Sequence, residues 1–204
     1  MTFSPIGRLA AILLLSAGLA ACMDMSVDVE VTSQTTARAT LTQVMSAQVY
    51  PMIKASEADR KDAKKEDAFC AEGELTENAD GSADCVITRE GPFEAVNFDE
   101  KDGEKSISFS AAGPGLVRVA FNTKDMQGDV TESGGEEMDA ETKEMMEAYF
   151  QGHFITLRVS GGEITDTNME IGADKRSAET KISFVDLLNG KTDLPDELFA
   201  VVRK

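Results

Sequence analysis

The stretch VDVEVTSQTTARATL, residues 27–41, alternates apolar and polar side chains on both sides of a short polar segment. A period of two is typical of a strand that buries one face. Residues 33–36 of this stretch, SQTT, are turn-forming. The stretch therefore predicts an antiparallel hairpin, and its pattern recurs along the chain. Its apolar positions are Val27, Val29, Val31, Ala37, Ala39 and Leu41.

Further strands are expected wherever the period of two returns between turn residues. Gly113-Pro114-Gly115 and Gly161-Gly162 are such turns. The predicted strands are residues 85–89, a second hairpin over 107–109 and 117–121, residues 155–159, a strand that holds Ile182 and Phe184, and the C-terminal ELFAVVRK as a short strand or edge.

Helices are expected in three places. Apolar spacing over residues 41–53, interrupted by Pro51, predicts the end of a strand followed by a short helix. Asp139 is a suitable N-cap for a second helix, which Gly152 would end. The sequence LLNG, residues 187–190, indicates one further helical turn.

These elements together predict an α+β fold. We expect an antiparallel β-sheet, either open or curved into a half-barrel, covered on one face by two or three helices. The chain shows neither an internal repeat nor a long linker. It should therefore form a single domain over residues 22–204, after an N-terminal signal peptide over residues 1–21.

The first 22 residues are organised like a bacterial export signal. Arg8 is the only charged residue among the first 23, and the apolar run at residues 9–21 is shorter than the ~20 residues of a membrane-spanning helix. The run ends in Leu19-Ala20-Ala21-Cys22, which resembles the lipobox of bacterial lipoproteins. The resemblance implies cleavage after residue 21 and acylation of Cys22. The alternatives are ordinary cleavage that leaves Cys22 as a free thiol, or an uncleaved anchor.

An acylated Cys22 would place the domain in the cell envelope, on the periplasmic side of a membrane. One acyl chain anchors only marginally, at about 0.8 kcal/mol per buried methylene, whereas several chains together anchor durably. The next residue is Met23 and not the aspartate that retains many lipoproteins at the inner membrane, which favours the outer membrane. Because the hairpin begins a few residues later, the domain should lie close to the lipid.

The other two cysteines are Cys70 and Cys85. An exported compartment can oxidise them, and with two cysteines left there is one possible intramolecular pairing. Two buried free thiols or a metal pair are the alternatives, but neither cysteine has a histidine or second cysteine at ligand spacing. We therefore predict a disulfide between Cys70 and Cys85.

The composition argues against several classes of partner. Removing residues 1–21 takes away one basic residue, Arg8, and leaves 19 basic against 37 acidic residues, a net charge of −18. Nucleic acids and anionic headgroups repel such a chain. The absence of Trp and the presence of only two Tyr argue against a stacking platform for sugars or bases.

No catalytic or metal-binding motif is found, so we predict neither an enzyme nor a cofactor. His153 is the only histidine, and no serine lies in a G-x-S-x-G elbow, which favours a structural or surface role for His153. Asn78, Asp80 and Asp84 partly match a calcium loop. They lack its third early ligand and its final glutamate, and a solvated turn is the better interpretation.

The predicted helix after Asp139 carries an apolar stripe that is rich in methionine. Methionine fills irregular cores and also lines adaptable binding surfaces. Core packing is the default, because a helix in a small domain must bury one face. The alternative is a helix that partly roofs a ligand cavity, and the candidate ligand-binding residues are then Met145, Met146, Tyr149 and Phe150.

Three C-terminal segments resemble the LppM-type bacterial lipoprotein domain: FITLRVSGGEITDTNMEI at 154–171, KISFVDLLNG at 181–190 and LFAVVRK at 198–204. A lipidated cysteine followed at once by a strand hairpin is the other shared feature, and the similarity covers most of the chain after residue 21. The resemblance implies a β-rich fold with helices that encloses an apolar, lipid-like binding site. It transfers no individual functional residue.

The expected function is that of a non-enzymatic, lipid-anchored envelope protein. Such a protein would bind a lipid or another hydrophobic ligand, or would assist envelope assembly. The alternative is an interaction module that docks an envelope protein through its acidic surface. An internal apolar cavity favours the first function, and a solid core with one exposed apolar patch favours the second.

Overall fold

The structure is a computed structural model that describes residues 23–59, 69–98, 100–101, 104–124 and 139–204. The predicted signal peptide and Cys22 lie outside the described residues. The strands are β1 (Met23–Val31), β2 (Thr36–Met45), β3 (Glu74–Glu77), β4 (Ala83–Pro92), β5 (Glu100–Lys101), β6 (Glu104–Lys105), β7 (Ile107–Gly113), β8 (Leu116–Asn122), β9 (Phe154–Ser160), β10 (Glu163–Thr167), β11 (Glu170–Ile171), β12 (Ser177–Ser183) and β13 (Glu197–Arg203). The helices are α1 (Tyr50–Asp59), α2 (Ala140–Phe150) and α3 (Phe184–Leu188), with a 3-10 turn at Phe93–Ala95.

Eleven of these strands form two sheets. The large sheet has the order β11-β12-β9-β1-β2-β4-β3, and the small sheet has the order β10-β13-β8-β7. The predicted hairpin is β1 and β2, which pair from Val31 opposite Ala37 to Met23 opposite Met45. On its other edge β1 pairs in parallel with β9, so that Val27 lies opposite Leu157. The first strand of the domain is thus an interior strand of the large sheet.

The two sheets share one hydrophobic core. The alternation of β1 and β2 directs their apolar residues to one face, where they meet the equivalent face of the small sheet. The large sheet contributes Val29, Val31, Ala37, Ala39, Ile155, Leu157, Val159, Ala178 and Ile182. The small sheet contributes Ile107, Val117, Val119, Phe121, Ile164, Leu198, Ala200 and Val202. The domain is therefore a β-sandwich with attached helices.

The predicted α+β class is confirmed, but the inner face of the large sheet is covered by strands rather than by helices. The strands expected at 107–109, 117–121 and the C-terminus assemble into a second sheet, and its apolar face fills this position. β13 was expected as a short strand or edge, yet it lies between β10 and β8. Residues 198–202 are all apolar because Leu198, Ala200 and Val202 enter the core and Val201 is buried on the other face. Phe199, also on that other face, is half-buried against Arg118.

The assignment of Phe184 to a strand was wrong. β12 ends at Ser183, whose Oγ accepts a hydrogen bond from the backbone N–H of Asp186 at 3.3 Å. This N-cap begins α3 at Phe184, one turn earlier than the LLNG segment indicated. The predicted α2 is confirmed, since Asp139 caps it by accepting from the backbone N–H of Thr142 at 2.8 Å.

The sandwich has two different ends. At one end the strands are joined by short turns, including the β1–β2 turn and Gly161-Gly162, which carries the chain from β9 in the large sheet to β10 in the small one. At the other end, α1 follows β2, α2 precedes β9 and α3 follows β12. We call these the turn end and the helical end. The chain enters β1 at the helical end, since Met23 lies opposite Met45.

The predicted disulfide between Cys70 and Cys85 is present, with the two Cα atoms 5.4 Å apart. It joins the segment before β3 to β4, where the Cys85 side chain is fully buried. Lys54 and Tyr50 of α1 both donate hydrogen bonds to Glu77 of β3, and those donors lower the pKa of Glu77. This edge of the large sheet is therefore held by a covalent link and by polar contacts.

Replacing both Cys70 and Cys85 with alanine should lower the free energy of unfolding by roughly 3 kcal/mol, because the bridge closes a loop with a sequence separation of 15 residues. Urea denaturation of residues 23–204 measures this difference. Thiol labelling of the unfolded, non-reduced protein is the control. Labelling of both cysteines without reductant would show that the bridge does not form.

Candidate functional site: an apolar cavity between the sheets

A cavity of about 180 Å³ lies between the two sheets at the helical end. The large sheet supplies one wall with Met25, Val27, Leu41, Ile155 and Leu157. The opposite wall consists of Ile107, Phe121 and Asn122 of the small sheet, with Phe98 and Ser106 from the segment before β7. Eight of these ten side chains are aliphatic, aromatic or thioether groups, so the cavity has the chemistry of an apolar binding site.

The cavity arises because the sandwich packs tightly at one end and loosely at the other. Towards the turn end, Val31 and Ala37 of the hairpin are completely buried. Towards the helical end, Met25, Val27 and Leu41 face the same core but are only half-buried. The inward faces of β1 and β2 thus run from a closed core into an open space, and the side chains at that space lack the dense packing of a normal interior.

Polar groups fix the segment that closes one side of the cavity. The Oδ1 of Asn97 accepts a hydrogen bond from the backbone N–H of Ile107 at 2.9 Å, and the backbone N–H of Asn122 donates to the carbonyl oxygen of Ser106 at 3.0 Å. Arg89 donates to the carbonyl oxygen of Asn97 at 2.7 Å and lies 5.7 Å from the ring centroid of Phe98. These contacts hold Phe98 and Ile107 in the cavity wall.

His153 joins β9 to β1 at the helical end. Its side chain is buried, and Nδ1 lies 3.4 Å from the Oδ1 of Asp24. The same carboxylate oxygen accepts the backbone N–H of Phe154 at 3.0 Å, and the backbone N–H of Phe184 donates to the carbonyl oxygen of His153. Of the structural or surface role expected for His153, these contacts support the structural one.

The four candidate residues of α2 are separated from the cavity described above. Phe150 packs on Phe184 of α3 with ring centroids 5.4 Å apart, and Met146 is half-buried. Met145 is 64% exposed and Tyr149 is 38% exposed. The ten residues that line the cavity include none of the four. Their role in ligand binding therefore stays a prediction.

The start of α2 is stabilised electrostatically. The backbone N–H of Thr142 donates to Asp139, and this hydrogen bond lowers the pKa of the Asp139 carboxyl group. A carboxylate at the first turn also complements the positive end of the helix dipole. The cap fixes where α2 begins and thereby which of its side chains face α3.

Sequence reasoning identified the inward direction of Val27 and Leu41, and the family resemblance implied an apolar site, but neither located the cavity between the sheets. Their alternation is the same as that of the fully buried Val29 and Ala39. The one signal that separates the two groups is their place in the hairpin, because Val27 and Leu41 lie towards the open ends of the strands. Whether the small sheet covers Val27 and Leu41 depends on strands that lie more than 60 residues away in the sequence.

Within the described residues, no helix combines the length and the apolar composition that crossing a bilayer requires. Likewise, no group of three or more His, Cys, Asp or Glu side chains in the described part of the chain is arranged to hold a metal ion.

Comparison with known proteins gives one distant structural match. No protein-family model and no curated protein matches the chain. The solution structure of the folded domain of LppM from Mycobacterium tuberculosis matches with a TM-score of 0.39 and 9% sequence identity, over 90% of this chain and 91% of that one. A likeness at this level supports no conclusion about function.

Proposed function

We propose that this chain is a lipid-anchored protein of the bacterial cell envelope whose sandwich domain binds an apolar group, such as part of one acyl chain, between its sheets. The observation that carries the proposal is the apolar cavity at the helical end. Its walls offer hydrophobic contact and few polar groups, which suits binding rather than catalysis.

The size of the cavity limits the ligand. Engineered protein cavities of about 150 Å³ with apolar walls bind benzene, whereas pockets for drug-sized ligands measure roughly 300–1,000 Å³. A space of about 180 Å³ therefore accepts one ring or a few methylenes of an acyl chain. The ligand would be one hydrophobic tail or side chain, and the rest of its molecule would extend from the helical end.

The position of the cavity supports a membrane-derived ligand. Met25 lines the cavity and is three residues from Cys22. Three extended residues span at most about 11 Å. If Cys22 is acylated, as its lipobox-like sequence suggests, Met25 in the cavity wall is at most about 11 Å from the residue whose acyl groups enter the bilayer.

Narrowing the cavity should weaken ligand binding without unfolding the domain. We expect Val27→Phe to weaken binding of a polyene fatty acid at least about ten-fold, since a tenfold change corresponds to 1.4 kcal/mol of lost contact. The free energy of unfolding should stay equal or rise by about 1 kcal/mol, as in other cavity-filling substitutions. The measurements are fluorescence titration and urea denaturation of residues 23–204.

Thr40→Phe is the matched control. Thr40 is in the same hairpin, directly opposite Asp28, and lies on the outer face of the sheet, so the added ring does not enter the cavity. This variant should bind the fatty acid like the wild type. Failure of the wild type to bind, or equal binding by Val27→Phe, would contradict the proposal and would favour the protein-docking alternative.

A further inference from the structure

Exposed apolar side chains are concentrated at the helical end. Six large hydrophobic residues of the described chain are exposed, and four of them lie at this end: Met52, Met145, Tyr149 and Phe154. The other two are Leu75, which the strand register places level with Met25 but on β3 at the far edge of the large sheet, and Ile171, towards the turn end. Single exposed apolar residues are ordinary, but a cluster at one end indicates a contact surface.

The four residues belong to three elements that meet at the helical end: α1, α2 and β9. Met52 lies in α1, which follows β2 five residues after Met45. Met145 and Tyr149 lie in α2, which packs on α3 through Phe150. Phe154 begins β9, and its backbone N–H is bonded to Asp24 near the start of β1.

The chain itself indicates what covers this surface. β1 begins with Met23 at the helical end, and Cys22, the residue that would carry an acyl anchor, is the one before it in the sequence. An acyl anchor on that cysteine leaves almost no tether between lipid and fold. Such an anchor would hold the bilayer surface next to the helical end, where Met52, Met145, Tyr149 and Phe154 are exposed.

We propose that the helical end rests on a zwitterionic lipid surface, with these four side chains in the headgroup region and the mouth of the cavity turned towards the acyl chains. This inference rests on the proposed anchor at Cys22. Tyrosine suits such a position, because its ring is apolar and its hydroxyl stays hydrated. Amphipathic elements at an interface bury their apolar face about 5–10 Å deep.

Charge selects the kind of lipid. The exposed face of α2 carries Glu141 and Glu144 beside Lys143, α3 carries Asp186, and the chain after residue 21 has a net charge of −18. Anionic headgroups repel a domain of this net charge, whereas zwitterionic headgroups do not. The contact needs little affinity of its own, because an anchor one residue away keeps the domain at high effective concentration at the surface.

The sequence contains no tryptophan, so a tryptophan introduced by substitution is the only one in the protein and reports on a single position. Met145→Trp and Ile171→Trp each place one fluorophore in the full, lipidated chain, the first at the proposed surface and the second near the turn end. Both proteins are reconstituted into phosphatidylcholine vesicles that contain lipids brominated near the headgroup. We expect about a two-fold loss of emission for Met145→Trp, given the expected depth, and no loss for Ile171→Trp.

Three results separate the possibilities. Proteins that float with the vesicles but are quenched equally, or not at all, would overturn the proposed orientation and leave the anchor intact. Proteins that do not float and carry no acyl mass would overturn the anchor itself, and the orientation with it. Stronger quenching on anionic than on zwitterionic vesicles at low salt would contradict the proposed lipid preference.

Discussion

Replacing Gly161 with alanine should destabilise the domain by more than about 3 kcal/mol, the largest stability loss that we expect from removal of a single glycine. Gly161 has a φ of +110°, and a Cβ atom there would overlap the carbonyl oxygen of Val31 and lie 2.8 Å from its nitrogen. The obstacle is backbone in the central strand β1, which cannot move without disturbing its pairing with both β2 and β9. Alanine therefore adds a clash to an unfavourable dihedral angle.

Gly152 and Gly190 provide matched controls for Gly161→Ala. Both have positive φ values, +86° and +58°, but an added Cβ would meet nothing within 4 Å at either position. Their alanine variants should lose about 1 kcal/mol from the dihedral angle alone. Urea denaturation of the three variants measures the differences. Equal losses would show that the approach of Gly161 to β1 does not matter.

Replacing Cys22 with serine should remove the membrane anchor, an effect on the order of 10 kcal/mol or more in partition free energy if several acyl chains are lost. The intact mass of the wild-type protein should correspond to a chain that begins at Cys22 with acyl groups attached. The serine variant should lack the acyl mass and retain residues 1–21, if the lipoprotein peptidase is its only processing enzyme. Identical masses for the two proteins would contradict the lipoprotein proposal.

Two further proteins make the anchor test specific. The Cys70→Ser/Cys85→Ser variant loses two cysteines but keeps the lipobox-like sequence, and it should still carry acyl groups. Residues 23–204 behind a signal peptide without a lipobox should be released in soluble form. Membrane association of that second protein would point to a contact made by the folded domain itself.

Local patterns predicted most of the strands. The alternation at Val27, Val29 and Val31 corresponds to β1, and the Asp139 cap corresponds to the start of α2. These signals succeed because each depends on neighbours along the chain. Polar β3, ELTE, carries no such signal, since it is an exposed edge strand that buries no apolar face.

Local sequence patterns could not predict how the strands divide between two sheets. The Gly161-Gly162 turn was correctly expected, but a turn between sequential strands does not reveal whether they pair or enter different sheets. Here β9 and β10 separate, because the turn places Gly162 against Arg203 of β13. The position of the cavity was unpredictable for the same reason: Met25 and Leu41 have the alternation of core residues, and the incomplete cover above them depends on the small sheet.

The parallel pairing of β1 with β9 has a consequence for the order of synthesis. Asp24 and Phe154, which are hydrogen-bonded, are separated by 130 residues. At a translation rate of about 5–20 residues per second, that interval takes roughly 7–26 seconds. During it, the first hairpin lacks its parallel neighbour β9, and of the opposite layer only β7 and β8 are made, late in the interval. Contacts of such long range also form slowly. A nascent chain with this topology cannot complete its core until β9 and β13 have been made, which would favour transport in an unfolded state if the chain is exported as its N-terminal sequence suggests.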